Sequence, residues 1–435
     1  MLYISRIRLV DIRCFPGEVV IDLTQPSGDR PSWTLILGDN GTGKTSLLRA
    51  IAMCLCDETG ASGLLTELSG HFIHHGCKQA IIEIQLKSDE IPGQLFTITT
   101  TFEQTDSTTE NVEQRTIPEI NFPRMKIFAC GYGAAFGTIG SEVYEKYRLI
   151  DAVYSLFNYT ARLQNPENAL FRISREGVDV DELLERINRI LMLPRDSTRL
   201  DSSGLQVRGP WGDFVPAGAI GDGYAGTIAW ICDLFGWSLL ATRQKFDTRV
   251  QGIVLLDEIE NHLHPSWQRG IIGLLASEFP GVQFITTTHA PLVAIGSASL
   301  SDERCQLLLL EYAREGVTIR SALKPPRGRR ADQVLTSFLF GLATSGDDDT
   351  KEQVHRFAAL AARTRSPDEQ AEFQDLEEKL DQKVGSAETK LEAYIQQAVH
   401  EVLSRTPSPE TFPEDSVGYE VLRQIRRLLK EQDAP

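Results

Sequence analysis

The segment GDNGTGKT, from Gly38 to Thr45, has the residue types and spacing of a loop that binds phosphate groups. It follows the apolar run WTLILG and precedes the helical pattern SLLRAIAMCLC, so it joins a strand to a helix. Exposed backbone N–H groups and the N-terminus of a helix both attract phosphate oxygens. We therefore predict that this segment binds the phosphates of a nucleotide, with contacts from Gly38, Asn40, Gly41, Gly43, Lys44, Thr45 and Ser46.

Two side chains of this loop carry specific chemical expectations. Lys44 is expected to reach the β- and γ-phosphates, and the hydroxyl of Thr45 is expected to ligate Mg²⁺. The alternative is a glycine-rich turn that binds nothing. The strand before the motif and the helix after it favour the phosphate loop.

Two acidic residues, Asp257 and Glu258, follow the apolar run IVLL. A short apolar run predicts a buried strand, and ligands bind at the carboxyl ends of strands in open α/β sheets. Asp257 is expected to hold the magnesium ion through its water shell, and Glu258 to orient an attacking water molecule. The alternative is a pair of surface carboxylates that end a strand.

His289 follows another apolar strand, in the segment FITTTHAPL. An imidazole in this place could hydrogen-bond the γ-phosphate and respond to its loss. Alone, a histidine at a strand end is more often structural, but three such motifs in this order favour a role in catalysis. The predicted catalytic residues are therefore Lys44, Glu258 and His289.

The periodicity of apolar side chains predicts the elements that must position these residues. Five segments have patterns that are typical of strands: YISRIRLVDIRCF, GEVVIDL, QAIIEIQL, QLFTITTTF and MKIFACGYG. VQGIVLLDEIE and VQFITTTHA are each followed by a helical pattern, which is the rhythm of a parallel α/β sheet. CQLLLLEYAREGVTIRSAL predicts a closing β-hairpin.

The later part of the chain is predicted to be richer in helix. Helical spacing begins near Ser141 and predicts a helical lobe inserted at about residues 141–220. A break rich in proline and arginine then separates a head at residues 1–325 from a C-terminal helical region at residues 326–435. In this region, one apolar face is predicted from Leu391, Ile395 and Val399.

The chain has 435 residues, a formal net charge of −16 and seven cysteines without C-x-x-C spacing. This composition is typical of a globular protein, and the cysteines suggest neither a disulfide framework nor a thiolate zinc site. The negative charge argues against a surface built to coat nucleic acid. Because neither a long apolar run nor a signal-peptide pattern is present, we expect a cytoplasmic protein without a membrane partner.

With these motifs in this order, the sequence resembles the ATP-binding-cassette (ABC) ATPases, in the branch that includes RecF, SMC-type and OLD-family proteins. The resemblance rests on RIRLVDIRCF, GDNGTGKTS, LLDEIENHLHP and TTTHAP, over roughly residues 1–325. It implies an α/β P-loop NTPase fold, with an ABC-type head that contains inserted antiparallel strands and a helical lobe. It also implies ATP and Mg²⁺ as cofactors, with ATP held between two copies of the chain.

In that family, a glycine-rich helix start from the opposite subunit completes each site. AIGDGYAGTIAWICDL occupies the corresponding place, and the resemblance implies that Gly223 contacts the γ-phosphate of a facing subunit. The segment IGDGY departs from the usual LSGGQ, because Gly221 replaces the serine and Asp222 adds a negative charge. Asp222 is explained more simply as a helix N-cap.

Two further features of the family have weaker counterparts in this sequence. The segment from Cys130 to Gly137 is the candidate for the glutamine loop, although it contains no glutamine. His262 and His264, in HLHP, could form a metal pair, but the dimer-facing loop of the family explains them better.

The tail, from RADQVLTSFLFGL onwards, resembles the stand-alone ATPases of bacterial defence operons of the Septu and retron type. This resemblance implies an ATP-dependent sensor or scaffold, whose separate effector, such as a nuclease, docks on the C-terminal region. Asp347 and Asp349 form a D-x-D pair only within a polar linker, which argues against a nuclease site in this chain. Two alternatives stay open: a RecF-like repair ATPase that binds DNA directly, and an ATPase subunit of a transporter.

Overall fold

The computed structural model describes residues 2–24, 32–90, 93–105, 110–135, 138–140, 143–209, 212–242, 249–314 and 316–342, together with 352–353, 356–357, 360 and 366–384. The chain divides into two compact units, Met1–Leu342 and Ala343–Pro435. The first unit therefore extends beyond residue 325, where the sequence predicts the end of the head.

The first unit contains both strands and helices. The described strands are β1 (Leu2–Ile12), β2 (Phe15–Asp22), β3 (Trp33–Gly38), β4 (Gln79–Ser88), β5 (Leu95–Gln104), β6 (Glu110–Ile117), β7 (Ala129–Tyr132), β8 (Thr138–Ile139), β9 (Arg162–Leu163), β10 (Thr198–Asp201), β11 (Gly204–Arg208), β12 (Phe214–Pro216), β13 (Gly252–Leu256), β14 (Val282–Thr287), β15 (Cys305–Ala313) and β16 (Gly316–Leu323). The described α-helices are α1 (Lys44–Leu55), α2 (Glu58–Thr66), α3 (Leu149–Val153), α4 (Pro166–Arg175), α5 (Val180–Ile190), α6 (Asp222–Thr242), α7 (Pro265–Glu278), α8 (Pro291–Gly296), α9 (Ala331–Leu335) and, in the second unit, α10 (Pro367–Val384).

A six-stranded sheet in the order β16-β15-β3-β14-β13-β7 forms the centre of the first unit. Its strands are parallel except for β16, which pairs antiparallel with β15 as the sequence predicts. All residues of β13 and β14 are buried, which explains their apolar runs, since a parallel sheet is covered on both faces. The carboxyl ends of β3, β14 and β13 lie side by side, so the segments that follow these strands meet at one edge of the sheet.

A second sheet is antiparallel and has the order β2-β1-β4-β5-β6. Strand β4 alternates between buried and partly exposed residues, as expected when one face of a sheet packs on the core. Helix α1 contacts strands of both sheets, and nine of its 12 residues are buried. The helix that follows the phosphate loop is therefore held by the core on both sides. These sheets confirm the predicted α/β fold with inserted antiparallel strands.

The lobe that the sequence predicts as helical at about residues 141–220 contains strands as well as helices. Helices α4 and α5 pack apolar side chains such as Leu170 and Ile187 into the core. A three-stranded antiparallel sheet, β10-β11-β12, follows them. These strands have only four, five and three residues, so they are too short for a period of two to be recognised from the sequence.

Helix α6 is the one helix, in the part of the chain that the structure describes, with the length and apolar composition to cross a membrane. In the structure, 72% of its apolar window is buried inside the protein. Trp230 packs against Tyr132, and Phe235 against Phe279. Core helices of folded domains have the same composition. Because most of its apolar window is buried inside the protein, α6 is such a core helix.

The second unit is described in part, with α10 as its main element. The rings of Phe357 and Phe373 stack with centroids 4.5 Å apart, and Arg356 pairs with Glu372 at 2.7 Å. Several features predicted from the sequence lie outside the described residues: Asp347, Asp349, Leu391, Ile395 and Val399.

Candidate nucleotide-binding site

The loop after β3 has a backbone that only glycine accommodates at two positions. Gly43 has a φ of +88°, and a Cβ atom there would lie 2.2 Å from Sγ of Cys14. A Cβ atom on Gly38 would lie 2.6 Å from the carbonyl oxygen of Leu310. These approaches explain why the apolar strand gives way to glycines at this point.

Lys44 begins α1, and its side chain is folded back over the loop. The Nζ atom donates hydrogen bonds to the carbonyl oxygens of Gly38, at 2.8 Å, and Asp39, at 3.0 Å. Burial lowers the pKa of Lys44, and the nearby carboxylates of Asp257 and Glu258 oppose this shift. The ammonium group therefore lies beside both the phosphate loop and the acidic pair.

Asp257 and Thr45 are in direct contact. Thr45 Oγ1 donates a hydrogen bond of 2.7 Å to Asp257 Oδ2, and Thr287 Oγ1 donates one of 2.6 Å to Asp257 Oδ1. The backbone N–H of Asp257 binds the carbonyl oxygen of Tyr132 at 2.9 Å, which ties the residue to β7. Burial raises the pKa of Asp257, while the two hydroxyl donors act in the opposite direction.

Glu258 lies at the turn after β13, in the left-handed region with a φ of +51°. Its backbone N–H donates to Thr287 Oγ1 at 2.7 Å, so a single hydroxyl contacts both acidic residues. Asn261 Nδ2 donates to Glu258 Oε2 and to the carbonyl oxygen of Ala134, both at 2.9 Å. The sequence analysis did not single out Asn261, which holds the predicted water-orienting carboxylate.

The segment predicted as the glutamine-loop equivalent lies beside this carboxylate. Residues Ala129–Tyr132 form β7, the strand next to β13, and Ala134 follows it as the acceptor for Asn261. Phe136 and Gly137 fall outside the described residues. Among the described residues, the amide that contacts Glu258 comes from Asn261 and not from this segment.

His289 follows β14 and is paired with an acidic residue that the sequence analysis also missed. Oε1 of Glu260 accepts a hydrogen bond of 2.7 Å from the backbone N–H of His289, and the ring Nδ1 of His289 lies 2.9 Å from the same oxygen. The side chain of Glu260 is almost fully buried, whereas that of His289 is half exposed. The structure thus places an oriented imidazole at the same edge of the sheet as Asp257.

Tyr312, on β15, contacts the tip of the phosphate loop. Its hydroxyl donates a hydrogen bond of 2.7 Å to the carbonyl oxygen of Asn40. A Cβ atom on Gly41 would lie 2.6 Å from this hydroxyl. Tyr312, which is far away in the sequence, therefore holds the predicted contact residues Asn40 and Gly41. The last predicted contact residue, Ser46, lies in the first turn of α1.

Gly223 lies in the first turn of α6, and a contact within the chain explains its lack of a side chain. A Cβ atom there would lie 2.2 Å from the carbonyl oxygen of His262. The interpretation of Asp222 as the N-cap is wrong, because the N–H of Ala225 binds the carbonyl oxygen of Gly221, which makes Gly221 the cap. The contact of Gly223 with a facing subunit stays a prediction.

His264, one of the two histidines in HLHP, has a structural contact at the start of α7. Nδ1 of His264 caps α7 by accepting the backbone N–H of Ser266 at 3.4 Å and lies 2.8 Å from its hydroxyl oxygen. Within the described parts of the chain, no group of three or more His, Cys, Asp or Glu side chains could hold a metal ion.

Models of two protein families match this chain. One, described as an AAA domain, matches residues 6–130, and another, described as an AAA domain of AbiEii toxins in type IV toxin–antitoxin systems, matches residues 225–295. The first match contains the phosphate loop, and the second contains the acidic pair and His289.

Curated relatives belong to two named systems. The Septu protein PtuA of Bacillus mycoides (strain KBAB4) is 28% identical over 393 residues, which are 88% of this chain and 51% of that protein. The "Retron Vc95 probable ATPase" of Vibrio cholerae serotype O1 biovar El Tor is 60% identical over 85 residues, which are 19% of this chain and 15% of that protein. The chain thus spans about half the length of the Septu relative.

A solved SMC head bound to the C-winged helix domain of ScpA aligns with 75% of this chain and 98% of its own, with 18% identity and a TM-score of 0.48. The resemblance depends on the phosphate loop, the acidic pair, their sheet topology and the curated relatives. The resemblance predicted from the sequence is confirmed: this chain has the fold of an ABC-type P-loop ATPase and resembles the ATPases of the Septu and retron defence systems.

Proposed function

We propose that this chain binds ATP with Mg²⁺ and hydrolyses its γ-phosphate. The observation that carries the proposal is the hydrogen bond between Thr45 and Asp257, with Lys44 beside them. It brings the residues predicted for the triphosphate and the metal into one place. Hydroxyl and carboxylate oxygens are the ligands that Mg²⁺ prefers, so the donor set fits this ion.

Each residue of the site has a role that follows from its contacts. Lys44 would bind the β- and γ-phosphates, and the N–H groups of the loop would surround them. Thr45 and Asp257 would hold Mg²⁺, which neutralises charge on the phosphates when it is bound. Glu258, fixed by Asn261, would accept a proton from the attacking water. His289 would donate a hydrogen bond to the γ-phosphate.

We also propose that two copies of the chain enclose the nucleotide, with Gly223 of one copy facing the phosphates in the other. The helix start at Gly221 supports this, because N–H groups at a helix N-terminus attract phosphate. A mixed dimer tests it. A Cβ at Gly223 would also meet the His262 carbonyl oxygen of its own chain, so Gly223→Ala must first show unchanged ATP binding on its own; it should then reduce hydrolysis only in the site that contains an intact Lys44 from the other copy. Equal effects in either arrangement would contradict a shared site.

The names of the relatives support a role in anti-phage defence. We propose that the chain is the cytoplasmic ATPase subunit of such a system and that it controls a separate effector, such as a nuclease, through its C-terminal region at residues 326–435. The Septu relative is about twice as long as the part that matches this chain. The proposal therefore concerns only the ATPase part that the two proteins share.

Nucleotide binding and hydrolysis by the purified chain test the first proposal. Lys44→Ala should weaken ATP binding by about 10- to 100-fold, the usual range for a lost charged hydrogen bond. Equal affinity in the variant would contradict the role of Lys44.

Purification from the native host tests the proposed control of an effector, because an effector encoded nearby should copurify. Strong, salt-sensitive DNA binding by the chain alone would instead favour the RecF-like alternative.

A further inference from the structure

Glu260 is a buried carboxylate that the proposed hydrolysis does not yet use. Only 5% of its side chain is exposed, and its Oε1 atom accepts a hydrogen bond from the backbone N–H of His289 and lies 2.9 Å from the ring Nδ1 of the same residue. Burying a carboxylate costs free energy unless nearby donors compensate for the lost water. For Glu260, the groups that compensate for the lost water both belong to His289.

The contact between the ring and Glu260 determines which nitrogen of His289 carries a proton. An ionised carboxylate only accepts hydrogen bonds, so Nδ1, at 2.9 Å from Oε1, must be the donor. The hydrogen bond from the backbone N–H, at 2.7 Å, fixes the start of the segment after β14. With Nδ1 engaged, Nε2 is the ring nitrogen left to meet a ligand, and the side chain is 48% exposed.

The second oxygen of Glu260 strengthens the case for a functional residue. Oε2 is buried and has no hydrogen-bond partner among the described protein atoms. A buried acceptor without a partner destabilises a fold, and such groups are uncommon unless they serve a site. Glu260 also lies close enough to Lys44 for its charge to act on the ammonium group.

We propose that Glu260 is a positioning residue, which holds His289 with Nδ1 protonated and Nε2 toward the γ-phosphate, so that the ring, when it carries a proton on Nε2 as well, donates a hydrogen bond to that phosphate. The proposal rests on the proposed ATP hydrolysis and adds to it a residue that does not contact the substrate. Glu260 and Glu258 belong to the same turn, so this turn supplies both the water-orienting carboxylate and the residue that orients the imidazole.

A second glutamate provides a matched control. Oε1 of Glu110, on β6, accepts hydrogen bonds from the backbone N–H groups of Phe72, at 3.0 Å, and Ile73, at 3.3 Å. Nδ1 of His71 lies 3.2 Å from the same oxygen, and the side chain of Glu110 is 6% exposed. Like Glu260, Glu110 is a buried carboxylate beside a histidine ring and a backbone N–H, but its Oε2 also accepts the N–H of Phe72, and it contacts no residue of the nucleotide site described above.

The test is a double-mutant cycle on ATP hydrolysis by the full chain. Glu260→Gln and His289→Ala should each lower kcat by about 10- to 100-fold with little change in KM, and the double variant should be no slower than His289→Ala alone. Glu110→Gln should leave kcat unchanged and should lower only the midpoint of thermal unfolding. If the losses from Glu260→Gln and His289→Ala multiply, Glu260 does not act through His289 and the proposal is overturned.

A spectroscopic measurement needs no variant at the carboxylate. In the full chain labelled with ¹⁵N-histidine, the His289 signal, assigned by its loss in His289→Ala, should show a protonated Nδ1 in the neutral ring. A neutral ring protonated at Nε2 overturns the proposal. If the unaltered chain hydrolyses no ATP, the proposed function itself fails; hydrolysis that is insensitive to Glu260→Gln removes only the inference about Glu260.

Discussion

Thr45 and Asp257 are 212 positions apart in the sequence, yet their side chains are joined by a hydrogen bond of 2.7 Å. The contact exists because the first turn of α1 meets the carboxyl end of β13. Removal of the Thr45 hydroxyl, as in Thr45→Val, should therefore weaken ATP binding about 10-fold or more when Mg²⁺ is present. Binding in EDTA should change little.

Titration of a fluorescent ATP analogue, with and without Mg²⁺, measures this difference. Thr66→Val provides the control, because the Thr66 hydroxyl bonds only a local carbonyl oxygen at the end of α2. Equal losses with and without Mg²⁺ would contradict the assignment of Thr45 to the metal.

Glu258→Gln should separate binding from hydrolysis. The amide keeps the size of the side chain but cannot accept a proton, so kcat should fall by about 10²- to 10⁴-fold while ATP affinity is retained. ATP should then accumulate in a dimer that gel filtration detects. Asn261→Ala should cause a smaller fall in kcat, since it removes one hydrogen bond to Glu258. Normal hydrolysis by Glu258→Gln would exclude Glu258 as the base.

Gly43→Ala should destroy the phosphate loop through a steric clash. A Cβ atom at this position meets Sγ of Cys14 at 2.2 Å, so the loop or the β1–β2 turn must move. Gly70→Ala is the matched control, because Gly70 has a similar φ of +76° with open space around it.

Both glycine variants should lose about 1 kcal/mol of unfolding free energy to backbone strain, but only Gly43→Ala should also lose ATP binding. Chemical denaturation and nucleotide titration measure the two effects. Retention of ATP affinity by Gly43→Ala would show that the loop tolerates a side chain there.

Asp233 should make the free energy of unfolding depend on pH, and one substitution can separate this effect from that of the other carboxylates. It is buried on α6, where it accepts hydrogen bonds from the Tyr132 hydroxyl at 3.0 Å and the Gln164 backbone N–H at 2.9 Å. Burial raises its pKa from 3.8 to about 6. Between these values the folded state binds the proton more tightly than the unfolded state, so the contribution of Asp233 to stability falls as pH rises to about 6.

Asp233→Asn does not titrate, and it resembles the protonated side chain. The unfolding free energy of this variant relative to the unaltered chain should therefore increase by about 1–3 kcal/mol between pH 4 and pH 7. Denaturant unfolding at both pH values measures this change, and the other carboxylates cancel in the comparison. A difference that is independent of pH would show that Asp233 keeps its ordinary pKa.

The phosphate loop and Asp257 could be predicted because their signals are local. Glycines, a lysine and a hydroxyl residue occupy consecutive positions after an apolar strand, and an acidic residue ends a second such strand. Parallel strands bring these ends together whatever the details of the loops. The parallel sheet and its antiparallel insertion were predictable for the same reason, since each long strand has its own periodicity.

Asn261, Glu260 and Tyr312 could not be predicted, because their roles depend on contacts between distant segments. Asn261 reaches Ala134 after β7, Glu260 reaches the segment after β14, and Tyr312 reaches the phosphate loop from β15. One signal was present in the sequence, since Asn261 and Glu260 belong to the same polar segment as Asp257 and Glu258. The spacing of these residues did not indicate which of them point toward each other.

The Thr287 hydroxyl accepts the N–H of Glu258 and donates to Asp257, so both acids share one oxygen atom of β14. The distance between Asp257, predicted to hold the metal, and Glu258, predicted to orient the water, thus depends on how β13 and β14 are aligned. Since β14 also leads into His289, the position of this one strand sets the placement of all three groups together.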